Sequence, residues 1–252
     1  MMFSTQWSAN EIAMRQFLLK LNGNIAIFTV LIALQIISTV FLSGASTSTS
    51  SYLDGQNPLS FDFNTISNDG QVGLMLFWSI IIGFYLTSAA QRNESFTFVA
   101  NRLTFQLANF YFFCAAALFG GVTTILLSSV MKIIAMLQVN TIMQADGILS
   151  APLDFLSQVF VLSAYSLLFM LIAYTVGSLV QWNKAFILLL ALLWIAFTQT
   201  TFFSTGDSSK GVLYFFYGET SILLFTLKVL LAVAILFGSS FWVTNRLEVR
   251  NP

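Results

Sequence analysis

The sequence contains no histidine, one cysteine and three prolines, and only 8% of its 252 residues are charged. Without histidine there is no histidine-based metal site, proton relay or catalytic triad. The one cysteine, Cys114, lies in an apolar run and has no partner for a disulfide within the chain. A soluble domain of this size carries roughly a quarter of its residues as charges, so the scarcity of charge excludes an ordinary water-soluble fold. Ten basic and ten acidic residues balance to zero, which leaves no basic surface for nucleic acid. Metalloprotease, serine-hydrolase and nucleotide-binding signatures are missing, as is a pair of carboxylates placed for catalysis. The chain is expected to be non-catalytic, with no cofactor or metal of its own. A cleaved secretory signal is not expected either, because the first apolar run long enough to insert begins only near Asn24 and lacks a convincing small-x-small site.

What the sequence does have is apolar length. Hydrophobic residues make up 57% of the chain, with 27 phenylalanines. Runs at about 24–43, 71–89, 109–130, 154–180, 185–203 and 220–243 each reach the roughly twenty residues needed to cross a bilayer as a helix. The expected architecture is all-α: a polytopic membrane protein with six transmembrane helices, residues 1–252 forming one transmembrane domain without internal repeats.

Ahead of the first run, Trp7-Ser8-Ala9-Asn10-Glu11-Ile12 reads as a helix start, with Ser8 as N-cap, Glu11 closing a capping box and Trp7 set against Ile12. The helix is expected over 7–21, with Met14, Leu18 and Leu21 on one side and Arg15 and Lys20 available to lipid headgroups; Asn22-Gly23-Asn24 ends it. It reads as an interfacial helix bent into the first span, or as that span's cytoplasmic extension. Residues 44–70 form a long polar connection, expected to be partly ordered. Gly120-Gly121 implies either a close helix approach or a kink in the third span, and the pattern continues past Lys132 beyond what a bilayer requires. Gln181-Trp182-Asn183-Lys184 is a turn short enough to make the fourth and fifth spans an antiparallel hairpin.

Six spans place both termini on one side, and that side carries Arg15, Lys20, Arg92, Arg102, Lys184, Arg246 and Arg250, against Lys132 and Lys210 opposite. The excess of positive charge assigns the first group to the cytoplasm.

The loop after the second span, 92–108, draws attention. A helix starting at Ser95 puts Phe96, Val99, Ala100, Leu103, Leu107 and Phe110 on one face and Phe98 and Phe105 on the other. Aromatic rings on the more polar face point either to a docking element for a cytoplasmic partner or to an interfacial linker.

Inside the spans, Lys228 is the one ionisable residue well within a run, shallow enough to snorkel outward or placed to face a cavity. Hydroxyls such as Ser79, Thr87, Thr124, Ser163, Ser166 and Tyr174 are expected to bond their own helix carbonyls or to mediate helix contacts, with a minority lining a path for cargo. Between the fifth and sixth spans, Tyr214, Phe215, Phe216 and Tyr217 belong to an aromatic stretch too short to cross, expected to dip into the outer leaflet within 204–219.

This layout resembles the membrane subunit of ABC-2 type transporter permeases, a type V exporter-like fold. The resemblance rests on the helix from Trp7 to Leu21, the spans, the loop QRNESFTFVANR, the short element Val212 to Tyr217 and the basic tail TNRLEVR. It implies a permease subunit of a bacterial exporter in the plasma membrane, both termini cytoplasmic, moving a drug, peptide or lipid. It also implies a second permease copy or paralogue and a cytoplasmic P-loop ATPase that holds the ATP and Mg. By the same resemblance Arg92, Glu94, Ser95, Phe96, Phe98, Asn101 and Arg102 belong to the helix that docks on the ATPase, and Tyr214 to Tyr217 cap the outer exit. A non-transporting regulatory or immunity protein and a secondary transporter are the rival readings.

Overall fold

The computed structural model of the chain describes residues 8–42, 47–50, 63–66, 68–88, 91, 102–138, 152–188 and 221–246. The elements in order are α1 (Ala9–Gly23), α2 (Ile25–Leu42), β1 (Thr47–Ser50), β2 (Phe63–Ile66), α3 (Asp69–Thr87), α4 (Arg102–Gln138), α5 (Pro152–Trp182) and α6 (Ile222–Arg246). Four helices are long and apolar enough to cross a membrane, at Asp69–Thr87, Leu103–Met131, Pro152–Trp182 and Ile222–Thr244, and α1 with α2 makes a fifth when the bent pair is taken as one span. The chain is a multi-pass membrane protein. Of the expected fifth span, 185–203, only the opening helical turn at 185–188 falls among the described residues, and the element at 204–219 lies outside them.

The start of α1 follows from its first turn. The Ser8 backbone N–H donates to Glu11 Oε2 at 2.9 Å and the Glu11 N–H donates to Ser8 Oγ at 3.3 Å, the reciprocal pair of a capping box. Its end is set at Asn24, whose backbone N–H reaches Lys20 O at 3.0 Å and whose side-chain Nδ2 donates to the same carbonyl at 2.8 Å. Doubling the donors on Lys20 O closes the last turn, and α2 leaves at an angle of 50°.

The connection at 44–70, expected to be partly ordered, holds an antiparallel pair in a chain expected to be all-α: β1 lies against β2, Thr47 opposite Ile66 through Ser50 opposite Phe63. One boundary needs correction. The helix of the third span starts at Arg102, not near Asn109, and runs unbroken past Lys132 to Gln138. No helix breaker lies between Arg102 and Asn109, and the polar groups of that stretch are satisfied by neighbouring helices, which removes the reason for the helix to end.

The helices divide into two compact units, and α3, α4 and α5 each contribute to both. In the unit containing α2 (residues 13–80 and 108–167), Met75, Ile125, Val159 and Leu162 form an apolar cluster with Val72 and Phe155 packed on it. Phe28 makes edge or tilted contacts with Trp78, Phe112 and Phe119 at centroid distances of 6.2, 5.8 and 5.1 Å. Gly120-Gly121 serves close approach, one glycine for each neighbour. A Cβ on Gly120 would meet Met75 and Trp78 of α3, and one on Gly121 would collide with Ser163 and Val159 of α5.

In the unit containing α6 (residues 1–12, 81–107 and 168–252), α3 crosses α5 at two further glycines. A Cβ on Gly83 would overlap Met170 O and Ala173, and one on Gly177 would overlap the Thr87 side chain. Trp182 stacks on Phe186 at 5.9 Å and meets Trp242 edge-on at 5.8 Å. The Asn183 side chain then restarts the chain as a helix, its Oδ1 accepting from the Ala185 N–H at 3.0 Å, as the expected short turn requires.

Candidate functional site

The docking residues expected from sequence lie largely outside the described residues: Arg92, Glu94, Ser95, Phe96, Phe98 and Asn101 are not described, and Arg102 is placed only as the first residue of α4. Their two flanks are anchored. Before them, the Gln91 N–H donates to Ser88 Oγ at 3.4 Å and its Nε2 donates to Tyr85 Oη at 2.9 Å, while Gln181 of α5 donates to the Thr87 carbonyl at the end of α3. After them, α4 begins with its polar side turned inward. Phe105, expected on the outer face, is buried at 4% exposure, and Leu103, expected on the packed face, is 49% exposed. Gln106 Nε2 donates to Thr244 Oγ1 at 2.7 Å and accepts from Tyr174 Oη at 3.3 Å. A helix in lipid turns its hydrogen-bonding stripe toward its neighbours and its leucines outward, the reverse of a helix on a soluble surface.

On α1, Arg15 is exposed beside the exposed Met14, Leu18 and Leu19, an arrangement suited to a membrane surface. Trp7 lies outside the described residues, so its packing on Ile12 does too. Lys20 departs from expectation. Its ammonium donates to the Oδ1 of Asn109, a residue 1% exposed, and so ties α1 to α4 instead of reaching headgroups. Phe17 against Tyr111, at 6.3 Å and 75°, makes the second tie.

Lys228 is half-buried on α6 between the buried Phe225 and Val229 and engages neighbouring groups. Glu219 and the capping residues Tyr214, Phe215, Phe216 and Tyr217 lie outside the described residues.

Most of the hydroxyls behave as expected, while Ser163 Oγ is buried without a hydrogen-bond partner. Ser79, Thr123, Thr124, Ser129 and Ser157 each donate to a carbonyl three or four residues back, and Ser79 also bonds Ser166 across to α5 at 2.7 Å. Sequence reasoning missed the amides. Gln35, Gln71, Gln106 and Asn109 are all nearly or wholly buried and join helix to helix. The available signal was a glutamine alone in the apolar run of α2, where an unpaired amide would not be tolerated. Among the described residues the buried polar side chains are amides and hydroxyls, none of them ionisable. Compared with known protein families, with curated proteins and with solved structures, the chain matches none.

Proposed function

We propose that this chain is the permease subunit of an ATP-driven exporter of the ABC-2 type, moving an amphipathic or hydrophobic cargo out of the cytoplasm or the inner leaflet of a bacterial plasma membrane. The observation that carries the reading is α1, a capped helix with exposed leucines beside an exposed arginine, joined at 50° to the first membrane-length helix and tied to α4 through Lys20 and Asn109. Buried amides and hydroxyls on otherwise apolar helices suit a cargo with a polar head and an apolar body.

Force must then arrive from outside the chain. The helix α4 is continuous from Arg102 and follows directly on 92–101, so displacement of that loop is transmitted along a rigid element, and the Lys20 tie makes α1 move with it. A cytoplasmic P-loop ATPase, holding ATP and Mg, would dock on Arg92 to Arg102, and a second permease copy or paralogue would complete the pathway. The test is co-purification with a candidate P-loop ATPase from the same cell, comparing the unaltered chain with one in which Phe98 and Arg102 are both replaced by alanine. The expected result is loss of the complex or of cargo-coupled ATP hydrolysis; a stable complex with normal coupling removes this loop as the docking site.

A further inference from the structure

Among the described residues six buried side-chain atoms have no hydrogen-bond partner, and two of them belong to one cluster: Gln35 Oε1 on α2 and Gln71 Oε1 on α3. Both amides are held by their nitrogens. Gln35 Nε2 donates to Thr124 Oγ1 at 2.9 Å, and Gln71 Nε2 donates to Thr39 Oγ1 at 2.9 Å and to the Gln35 carbonyl at 3.2 Å. The oxygens are therefore the open ends.

The hydroxyls around them have no proton to offer. Ser38 and Thr39 donate to the Gln35 carbonyl at 2.9 and 2.7 Å, and Thr124 donates to Gly120 O at 2.8 Å. The open positions are therefore the two amide oxygens and the second N–H of Gln35, at two glutamines that are 0% and 2% exposed, so an incoming group must above all donate. An acceptor kept from water without a partner is destabilising, and more so where lipid surrounds the bundle. A group that brings O–H or N–H donors removes that penalty. A cation would also satisfy the oxygens, but the buried polar residues described here include no carboxylate to offset the loss of its hydration.

We propose that Gln35 and Gln71 form a binding site for the neutral, hydrogen-bond-donating head of a long-chain amphipath, a hydroxyl or amide group. Reading such an amphipath as cargo rests on the exporter function above; the binding itself does not. Both oxygens are buried, so the site is closed in this conformation. Gln71 supplies both hydrogen bonds from α3 to α2 in this cluster. Entry requires α2 to part from α3 there. Away from Gln35, α2 exposes Ile36, Ile37 and Val40, which places its outer face against acyl chains, where an amphipath already resides.

The experiment is binding to the purified full-length chain in detergent, without any ATPase, read as the ligand-dependent shift of the thermal midpoint. The probes are dodecanediol and its dimethyl ether, which keeps the acceptor oxygens and loses both donors. The diol is expected to bind at least about tenfold tighter than the ether, the difference that two hydrogen bonds make. In the chain carrying Gln35→Met and Gln71→Met together, of similar side-chain length, the diol's advantage is expected to vanish. Equal binding of diol and ether to the unaltered chain overturns the proposal, as does a double variant that still prefers the diol. Should the double variant fail to fold, the diol–ether comparison on the unaltered chain decides. Because no ATPase is present, failure here leaves the exporter reading to its own co-purification test.

Discussion

At the scale of single residues, glycine and glutamine do different work in this bundle, and each makes a prediction. Gly83 sits where a methyl would overlap the Met170 carbonyl, and backbone cannot rotate out of the way as a side chain can. Gly83→Ala is expected to cost about 1–3 kcal/mol, seen as a lower thermal midpoint in detergent. Gly238, with nothing within 4 Å of an added Cβ, is the control, and Gly238→Ala is expected to cost nothing. Equal losses at both positions would mean that close approach is not what Gly83 provides. Gln106 accepts from Tyr174 and donates to Thr244, all three buried, so Gln106→Leu removes two buried side-chain bonds at once. The expected cost is about 1–3 kcal/mol. A double-mutant cycle with Thr244→Val should recover a coupling of only about 0.6 kcal/mol, since an unfolded chain in a membrane-like phase also finds partners. A coupling indistinguishable from zero would dismiss the Gln106–Thr244 bond as a contributor.

At the scale of elements, the sequence marks where helices run far better than how they face. The capping box at Ser8 and Glu11, the break at Asn24 and the termini of α3 and α5 were all legible, because caps, turn residues and long apolar runs are local signals. Facing was not local. The expectation that Phe105 points outward treated α4 as a helix on water, whereas its neighbours offer hydroxyls and amides and its surroundings offer hydrocarbon, so Leu103 faces out and Phe105 in. The β1–β2 ladder was also illegible, since TSTS and FNTI lack the apolar alternation that marks a strand. The element that merits a test is α1. Replacing Ser8 with alanine removes one reciprocal bond and is expected to destabilise the first turn by about 0.5–2 kcal/mol. Hydrogen exchange should speed at the α1 N-terminus and stay unchanged in α3. Asn109→Leu, which removes the Lys20–Asn109 bond, should instead speed exchange toward the C-terminal end of α1. If both substitutions loosen the same turn, α1 opens as one unit and its two anchors are not separate.

At the scale of the whole molecule, orientation is the property on which the exporter reading depends, because a docking loop must face the compartment that holds ATP. It rests on where the bases lie, Arg92, Arg102 and Lys184 against Lys132 and Lys210, and neutral net charge makes that distribution the only electrostatic guide. The single cysteine makes orientation measurable. With Cys114 replaced by alanine, Gln56→Cys and Asn93→Cys each introduce one thiol, in the connection between β1 and β2 and in the loop before α4. A membrane-impermeant maleimide on intact cells is expected to label the chain at position 56 and not at 93, and permeabilised cells are expected to label both. The reverse pattern would put 92–101 outside, out of reach of any ATPase, and would dismiss the exporter reading while leaving the Gln35–Gln71 site untouched. Labelling of both positions in intact cells would instead place both outside, which contradicts α3 crossing the membrane once between them.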